Sequence, residues 1–302
     1  MTIRTDWLRG CATALVTPFT SQGEIDEDRF CRLIERQIDA GIKLLVPCGT
    51  TGESATMSEA EDQRVIRLTV ATAAGRARII AGTGSNSTKS TIEYSQTAKA
   101  LGADAVLVVA PYYNKPTQEG MLAHFRAVAE AIGDMPVVLY NVPGRTSSNI
   151  QAPTVLKLAR EVPNIAAIKE ASGDLNQQMA ILRGRPEHFR VLSGDDAQTL
   201  ALIALGGDGL ISVASNEAPE LMNRMVELAL NRQWDQAREL HYRLLPLMDV
   251  NFIESNPGPV KAALAMMGCI EEHYRLPLVP IQEKSRIRVR EVLCELGLLE
   301  GK

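Results

Sequence analysis

The 302-residue chain has little of what marks several classes of protein. Lysine and arginine number 32 against 36 aspartates and glutamates, which gives a formal net charge of −4. Without a broad positive field, binding to nucleic acid is not expected. No run of about 18 apolar residues occurs, and the amino terminus lacks a long apolar signal core. We therefore expect a cytoplasmic protein that neither spans a membrane nor is exported.

Cysteine and histidine are also scarce and scattered. The five cysteines form no CxxC pair, which predicts reduced thiols and no cysteine-based zinc site. Cys48 lies beside a polar motif, where a functional thiol is one interpretation and a small buried filler the favoured one. The four histidines share no motif. A histidine-based hydrolase is therefore not indicated, and no metal site is expected.

Short apolar or β-branched segments alternate with helical patterns along the chain. Strands are predicted at Ala12–Val16, Leu44–Val46, Arg78–Ala81, Ala105–Val109, Val137–Tyr140, Ile165–Ile168, Val191–Leu192 and Gly209–Val213. Eight parallel βαβ strands match a closed (β/α)8 barrel, also called a TIM barrel. An open doubly wound sheet is the alternative. It is disfavoured because Thr17-Pro18-Phe19-Thr20, and not a glycine-rich dinucleotide turn, follows the first strand.

The pattern becomes purely helical beyond Ala218. We therefore divide the chain into a (β/α)8 catalytic barrel over residues 1–218 and a C-terminal helical extension over residues 219–302 that packs on it. Seven helices are predicted between the strands, and the last of them spans Asp196–Leu205. The Asp195-Asp196 pair suggests a metal site, but no matching histidine or glutamate closes another strand, so helix N-capping is favoured.

Lys169 follows the buried strand Ile165–Ile168, at the strand end where (β/α)8 barrels carry their active sites. From this position alone the side chain could simply reach solvent. An ordinary lysine amine is protonated at pH 7 and is a poor nucleophile. Burial and a nearby cation such as Arg145 would free its lone pair for attack on a carbonyl. Lys169 is therefore the candidate nucleophile.

Polar groups close several other strands. The turn Gly49-Thr50-Thr51-Gly52 is either a plain loop or a set of N–H groups and hydroxyls suited to a small carboxylate. Tyr113 and Tyr140 are either core aromatics or proton-transfer groups. Arg145 either pairs at the surface or offers a fork that binds a carboxylate.

Five motifs together resemble the dihydrodipicolinate synthase family, and the resemblance runs nearly from end to end. They are Gly49–Ser54, Pro111–Pro116, Tyr140–Thr146, Ile168–Ala171 and Asn256–Lys261. The family belongs to the pyruvate-dependent aldolases that form a Schiff base on a lysine, together with N-acetylneuraminate lyase and 2-keto-3-deoxy sugar acid aldolases. Thr50, where the neuraminate lyases usually have serine, and Arg145 favour the synthases.

The resemblance implies condensation of pyruvate with L-aspartate 4-semialdehyde in the diaminopimelate route to lysine. No cofactor is implied, because an imine on the lysine withdraws electrons as a cofactor would. A homotetramer built as a dimer of dimers is implied as well. The alternatives are an aldolase of a 2-keto-3-deoxy sugar acid or N-acetylneuraminate and, remotely, a catalytically silent binding protein on the same scaffold.

The resemblance also implies a role for each matching residue. Lys169 forms the imine, while Tyr140 transfers protons through the Thr51 hydroxyl to Tyr113 of a neighbouring subunit. The implied substrate-binding residues are Thr50 and Thr51 for the pyruvate carboxylate, Arg145 for the second substrate, and the main-chain groups of Gly194 and Ile211 for the shape of the pocket.

A candidate allosteric site for lysine follows from the same resemblance. Its positions are Ser54, Ala55, Glu59, Asp62, Asn86, Ser90 and Tyr112. Ser90 stands where lysine-sensitive relatives have a glutamate that pairs with an amino group of the effector. Loss of such a charge-assisted bond is worth about 1.5 to 3 kcal/mol. We therefore expect weak or absent inhibition by lysine.

Overall fold

The computed structural model describes residues 5–300 and contains one closed barrel of eight parallel strands. Each strand pairs with the next, and the eighth pairs with the first. The strands are β1 (Gly10–Ala14), β2 (Leu44–Val46), β3 (Arg78–Gly82), β4 (Ala105–Val109), β5 (Val137–Asn141), β6 (Ile165–Glu170), β7 (Arg190–Ser193) and β8 (Gly209–Ser212). The predicted (β/α)8 fold is confirmed, with small shifts in the strand bounds.

Twelve α-helices accompany the barrel within the described residues. They are α1 (Glu27–Asp39), α2 (Glu59–Ala73), α3 (Thr88–Ala100), α4 (Gln118–Ile132), α5 (Pro143–Thr146), α6 (Ala152–Glu161), α7 (Leu175–Gly184), α8 (Thr199–Ala204), α9 (Pro219–Leu230), α10 (Trp234–Val250), α11 (Gly258–Met266) and α12 (Glu283–Glu295). Between residues 5 and 300, no helix combines the length and apolar character needed to cross a bilayer.

Local sequence signals explain several of these helices. Two of them, α5 and α12, were not predicted from the sequence. A capping box begins α2, because Ser58 accepts from the backbone N–H of Glu61 and the Glu61 side chain accepts in return. The single turn α5 begins with proline at its first position. In α12 the buried Val289 and Val292 are outnumbered by charged neighbours, which obscures the apolar period.

The helix expected to begin at Asp196 begins later, and of the two aspartates only Asp195 binds the backbone N–H groups of the turn that leads into it, as an N-cap residue does. Helix α8 begins at Thr199, and its N-cap residue Gln198 makes no side-chain capping bond. Asp195 accepts two backbone N–H groups of the turn that precedes α8. The buried Asp196 accepts from the hydroxyl of Ser212 and from the next two backbone N–H groups. Asp196 thus joins the end of β7 to the end of β8.

Side chains fill the barrel, and helices cover it. One buried cluster, which includes Leu44, Val46, Ile80 and Leu192, occupies the interior, and a larger cluster lies between strands and helices. At the seam, Gly209 has a φ of 153° and lies so close to β1 that a Cβ would sit 2.1 Å from the carbonyl oxygen of its neighbour there. Only glycine allows this approach.

The division of the chain at residue 218 stays a prediction. Helix α9, which follows it, contacts β1 and β8, and α10 contacts both α9 and α12. Helix α11 in turn contacts α12. Of the helices beyond residue 218, α9 therefore packs directly on the strands, and the others pack on helices.

A buried ion pair joins α11 to the mouth of the barrel. Lys261 donates to Glu53, which follows β2, and both side chains are fully buried. The Lys261 amine also lies 4.4 Å from the ring centroid of Phe19 and 5.4 Å from that of Tyr274. Burial lowers the pKa of Lys261, and Glu53 opposes this effect. Each charge depends on the other, because an unpaired charge in the interior is costly.

We predict that Lys261→Met lowers the free energy of unfolding by about 3 to 5 kcal/mol, because it leaves Glu53 buried and unpaired. The double variant Glu53→Gln/Lys261→Met should recover part of this loss, since it removes both charges. Urea unfolding at matched protein concentration measures both effects. A single variant as stable as the unmodified protein would contradict the prediction.

Candidate active site

Lys169 lies on the inner face of the barrel at the carboxyl end of β6. Ile168 before it packs into the cluster between strands and helices, so the alternation along the strand turns Lys169 inward. Lys169 is 6% exposed and pairs in register with Tyr140 of β5. Its Nζ atom lies 4.3 Å from the centroid of the Tyr140 ring. An amine and a phenol therefore stand side by side in the barrel mouth.

Lys169 opens into a cavity of about 150 Å³. This volume is well below the roughly 300 to 1,000 Å³ of pockets for drug-sized ligands, so the cavity suits a very small molecule. Residues of every strand but β3, or of the loops that follow these strands, line it. The sequence-predicted residues that line it are Thr50, Thr51, Tyr140, Arg145, Lys169 and Gly194.

The two threonines after β2 differ in their surroundings. Thr51 is 2% exposed, and its Oγ1 accepts from Nδ2 of Asn256 at 3.0 Å. Thr50 is exposed and lines both this cavity and a neighbouring one. Arg145 is also exposed, and its Nη2 donates to the main-chain oxygen of Asn256 at 3.4 Å.

Asn256 is a polar cavity residue to which the sequence assigned no role. It stands within the motif Asn256–Lys261, so its presence was noted, but its contacts with Thr51 and Arg145 join segments 205 and 111 residues apart. No local pattern indicates such contacts. The motif itself was the one signal that pointed to this segment.

Gly194 gives Lys169 its space. A Cβ at this position would lie 2.6 Å from the Cβ of Ala171, and 3.0 and 3.1 Å from Cε and Cγ of Lys169. Atoms this close overlap, so a larger residue would displace the lysine stem. The sequence assigned Gly194 to the shape of the pocket, and its contact with the lysine is closer than that assignment implied.

Two predicted site residues, Ile211 and Tyr113, do not line this cavity. Ile211 is buried in the cluster inside the barrel, and Val213 is the residue of that strand end that lines the cavity. Tyr113, on the loop after β4, is 88% exposed and has a backbone φ of 69°. Within one chain, therefore, Tyr113 stands outside the cavity that Lys169 occupies.

A second cavity of about 460 Å³ adjoins the first and shares Thr50, Tyr140 and Arg145 with it. The candidate lysine-binding residues that line it are Ser54, Ala55, Glu59, Asp62 and Tyr112. Asn86 and Ser90, at the beginning of α3, lie outside its lining. The two cavities therefore share one wall.

Burial raises the pKa of Asp62, in the wall of the larger cavity, to about 7. Its Oδ2 accepts from Ser54 at 3.1 Å. The neighbouring Cys48 thiol donates to the main-chain oxygen of Asp62, and burial raises the thiol pKa well above its usual range. A thiol held in this protonated form is a poor nucleophile, which favours the interpretation of Cys48 as a buried filler.

No group of three or more histidine, cysteine, aspartate or glutamate side chains in residues 5–300 is placed to hold a metal ion. Besides the carboxylate of Asp195, the polar side chains around Lys169 are hydroxyls, an amide and a guanidinium. These groups can bind a carboxylate and move protons.

The sequence profile described as the Dihydrodipicolinate synthetase family matches residues 7–296. The chain belongs to this family. Among its relatives, the 4-hydroxy-tetrahydrodipicolinate synthase of Koribacter versatilis is 54% identical over 295 residues, which cover 97% of this chain and 98% of that protein.

Solved structures of dihydrodipicolinate synthases have the same fold. The chloride-inhibited enzyme of Acinetobacter baumannii, complexed with pyruvate, is 43% identical with a TM-score of 0.94, and the match covers 96% of this chain and 99% of that one. The family member from Cyanidioschyzon merolae, with lysine bound, is 42% identical with a TM-score of 0.95, and the match covers 97% and 99%.

We predict that Gly194→Ala slows pyruvate-dependent inactivation by borohydride roughly tenfold to a hundredfold, because the added methyl group displaces the Lys169 stem. Gly144→Ala is the matched control, since a Cβ there meets nothing within 4 Å. The rate of activity loss in pyruvate and borohydride measures the effect. Equal rates in the two variants would show that the lysine tolerates the methyl group.

Proposed function

We propose that this protein is a 4-hydroxy-tetrahydrodipicolinate synthase that condenses pyruvate with L-aspartate 4-semialdehyde in the biosynthesis of lysine. One observation carries the assignment. A buried lysine amine at the end of β6 opens into a small cavity, beside hydroxyls and a guanidinium suited to carboxylates. Family membership and the names of the relatives support it.

The reaction begins with an imine. The neutral amine of Lys169 attacks the keto carbon of pyruvate, and loss of water leaves a protonated imine. Its positive nitrogen withdraws electrons, so the methyl carbon of pyruvate loses a proton and an enamine forms. The enamine carbon attacks the aldehyde of the second substrate and forms the new carbon–carbon bond. Attack of the substrate's amino group on the imine carbon then closes the ring and releases the lysine.

Tyr140 is the proposed proton-transfer group. Its ring stands against the amine that must gain and lose protons, and a phenol can both donate and accept. We extend this relay to Tyr113 of a neighbouring subunit, because in its own chain Tyr113 is almost wholly exposed. This extension requires at least a dimer. The homotetramer and the cytoplasmic location stay predictions.

Two residues, Thr50 and Thr51, are candidates for the hydroxyl that links Tyr140 and Tyr113. The family resemblance assigns it to Thr51, whose oxygen already accepts from Asn256. Thr50 is exposed and lines both cavities, so it is better placed to meet a residue that comes from outside the chain. We therefore propose Thr50 as the alternative link and Thr51 as a donor to the pyruvate carboxylate.

Arg145 is proposed to hold the carboxylate of the second substrate. It lines the cavity from the end of β5, and its contact with the main-chain oxygen of Asn256 leaves other guanidinium N–H groups free to donate. Gly194 is proposed to shape the pocket by its lack of a side chain. A similar part for Ile211 is confined to its main chain, because its side chain faces the barrel interior.

We predict that borohydride in the presence of pyruvate adds a reduced pyruvyl group to Lys169 alone, because reduction traps the imine. Peptide mass mapping after proteolysis identifies the modified lysine. Lys169→Arg, which keeps the charge, should show no pyruvate-dependent modification. Labelling of a different lysine, or no labelling of the unmodified protein, would reject the proposed chemistry.

The larger cavity is a candidate lysine site, although its lining differs from the set that the resemblance implies. Ser90, which replaces the expected glutamate, lies outside the lining. Burial raises the pKa of Asp62 to about 7 and so disfavours its negatively charged form. Both features disfavour tight binding of an ammonium group.

We predict half-inhibition by lysine only above about 1 mM, because the missing carboxylate weakens binding at least about tenfold. The measurement is the initial rate across a lysine titration at saturating pyruvate. Ser90→Glu should lower the half-inhibitory concentration by about tenfold or more. Strong inhibition of the unmodified protein would show that another residue has taken the place of the glutamate.

A further inference from the structure

We propose that Asn256 is a positioning residue whose side-chain amide turns the Thr51 hydroxyl hydrogen into the Lys169 cavity, toward the carboxylate of the bound substrate. The proposal rests on the proposed function and adds to it a residue from the C-terminal part of the chain. It concerns the direction of one hydrogen bond.

The direction follows from the groups in contact. A threonine hydroxyl has one hydrogen to donate and two lone pairs that accept. Nδ2 of Asn256 donates to Oγ1 of Thr51 at 3.0 Å, so the hydroxyl hydrogen must point away from this amide. Both residues line the cavity, and both are nearly buried, at 2% for Thr51 and 5% for Asn256. The cavity is therefore the open direction for that hydrogen.

The contact is fixed from both sides by the Lys261–Glu53 ion pair. Glu53 lies two residues after Thr51, and Lys261 lies five residues after Asn256. Glu53 has a backbone φ of 56°, a region that residues other than glycine seldom occupy. The strained turn and the fully buried pair together hold the threonine loop against the beginning of α11.

Packing alone does not explain an asparagine here. Its Oδ1 is buried and has no hydrogen-bond partner among residues 5–300. An unpaired buried carbonyl oxygen is unfavourable, so an apolar residue would pack at lower cost. The amide is useful only through its other end, the Nδ2 atom that contacts Thr51.

The expected effect is on binding of pyruvate more than on turnover. The carboxylate keeps its charge throughout the reaction, so a bond to it stabilises the ground state and the transition state alike. Loss of such a bond raises KM and leaves kcat nearly unchanged. Merely loosened packing around Lys169 would instead lower kcat.

The first test is a double-mutant cycle of Asn256→Ala, Thr51→Val and the two combined. Each single variant should raise the pyruvate KM about tenfold, the equivalent of one charge-assisted hydrogen bond. Since Asn256 acts only through the hydroxyl, the combined variant should be no worse than Thr51→Val. Increases in KM that multiply would overturn the proposal, as would an unchanged KM in Asn256→Ala.

Asn256→Asp keeps the shape and reverses the hydrogen bond. As a carboxylate it accepts the Thr51 hydrogen, so at pH 8 the pyruvate KM should exceed that of Asn256→Ala. At lower pH the protonated acid donates to Thr51 as the amide does, and the KM relative to the unmodified protein should fall. A pyruvate KM at pH 8 no higher than that of Asn256→Ala would overturn the proposal.

Asn251→Ala is the structural control, because Asn251 is a buried asparagine of the same segment that does not line the cavity. It should leave the pyruvate KM unchanged. Borohydride labelling separates the two levels of the argument. No labelling of Lys169 in the unmodified protein rejects the proposed function, whereas normal labelling with an unchanged KM in Asn256→Ala rejects only the positioning role.

Discussion

The structure depends on a partner for the buried positive charge of Lys261. An ammonium group taken fully out of water costs several kcal/mol unless a partner lies against it, and Glu53 is that partner. The requirement fixes two segments at once, the loop after β2 and the beginning of α11. Thr50, Thr51 and Asn256 all belong to these segments, so the polar wall of the cavity is determined by an interaction outside it.

The rest of the site follows from strand geometry. Side chains alternate between the two faces of a strand, which turns Lys169 toward the axis and Ile168 toward the helices. Register then sets Tyr140 beside the lysine. Gly194, at the next strand end, supplies the space that the lysine stem fills. Three neighbouring strands thus place an amine, a phenol and an empty volume within one small cavity.

Much of this was predictable because its signals are local. The eight strands each stand in a short run of residues whose pattern predicts a buried strand. Lys169 and the paired threonines follow such strands, and their roles were predicted from the family resemblance because position alone left a structural interpretation open. The contacts that failed prediction are long-range. Asp196, which follows β7, accepts a hydrogen bond from Ser212 at the end of β8, and Lys261 pairs with Glu53 across 208 residues. The sequence assigned Ile211 to the pocket, whereas Val213 lines the cavity. Which residue does so depends on where β8 ends, and sequence patterns locate the ends of strands only to within a few residues.

The long separation between Glu53 and Lys261 also orders events in time. At a synthesis rate of about 5 to 20 residues per second, the chain carries Glu53 for roughly 10 to 40 seconds before Lys261 exists. All eight strands have been synthesised by then, so the barrel can close before the Lys261–Glu53 pair fixes one wall of the cavity. The protein would become competent to bind substrate only when the last part of its chain arrives.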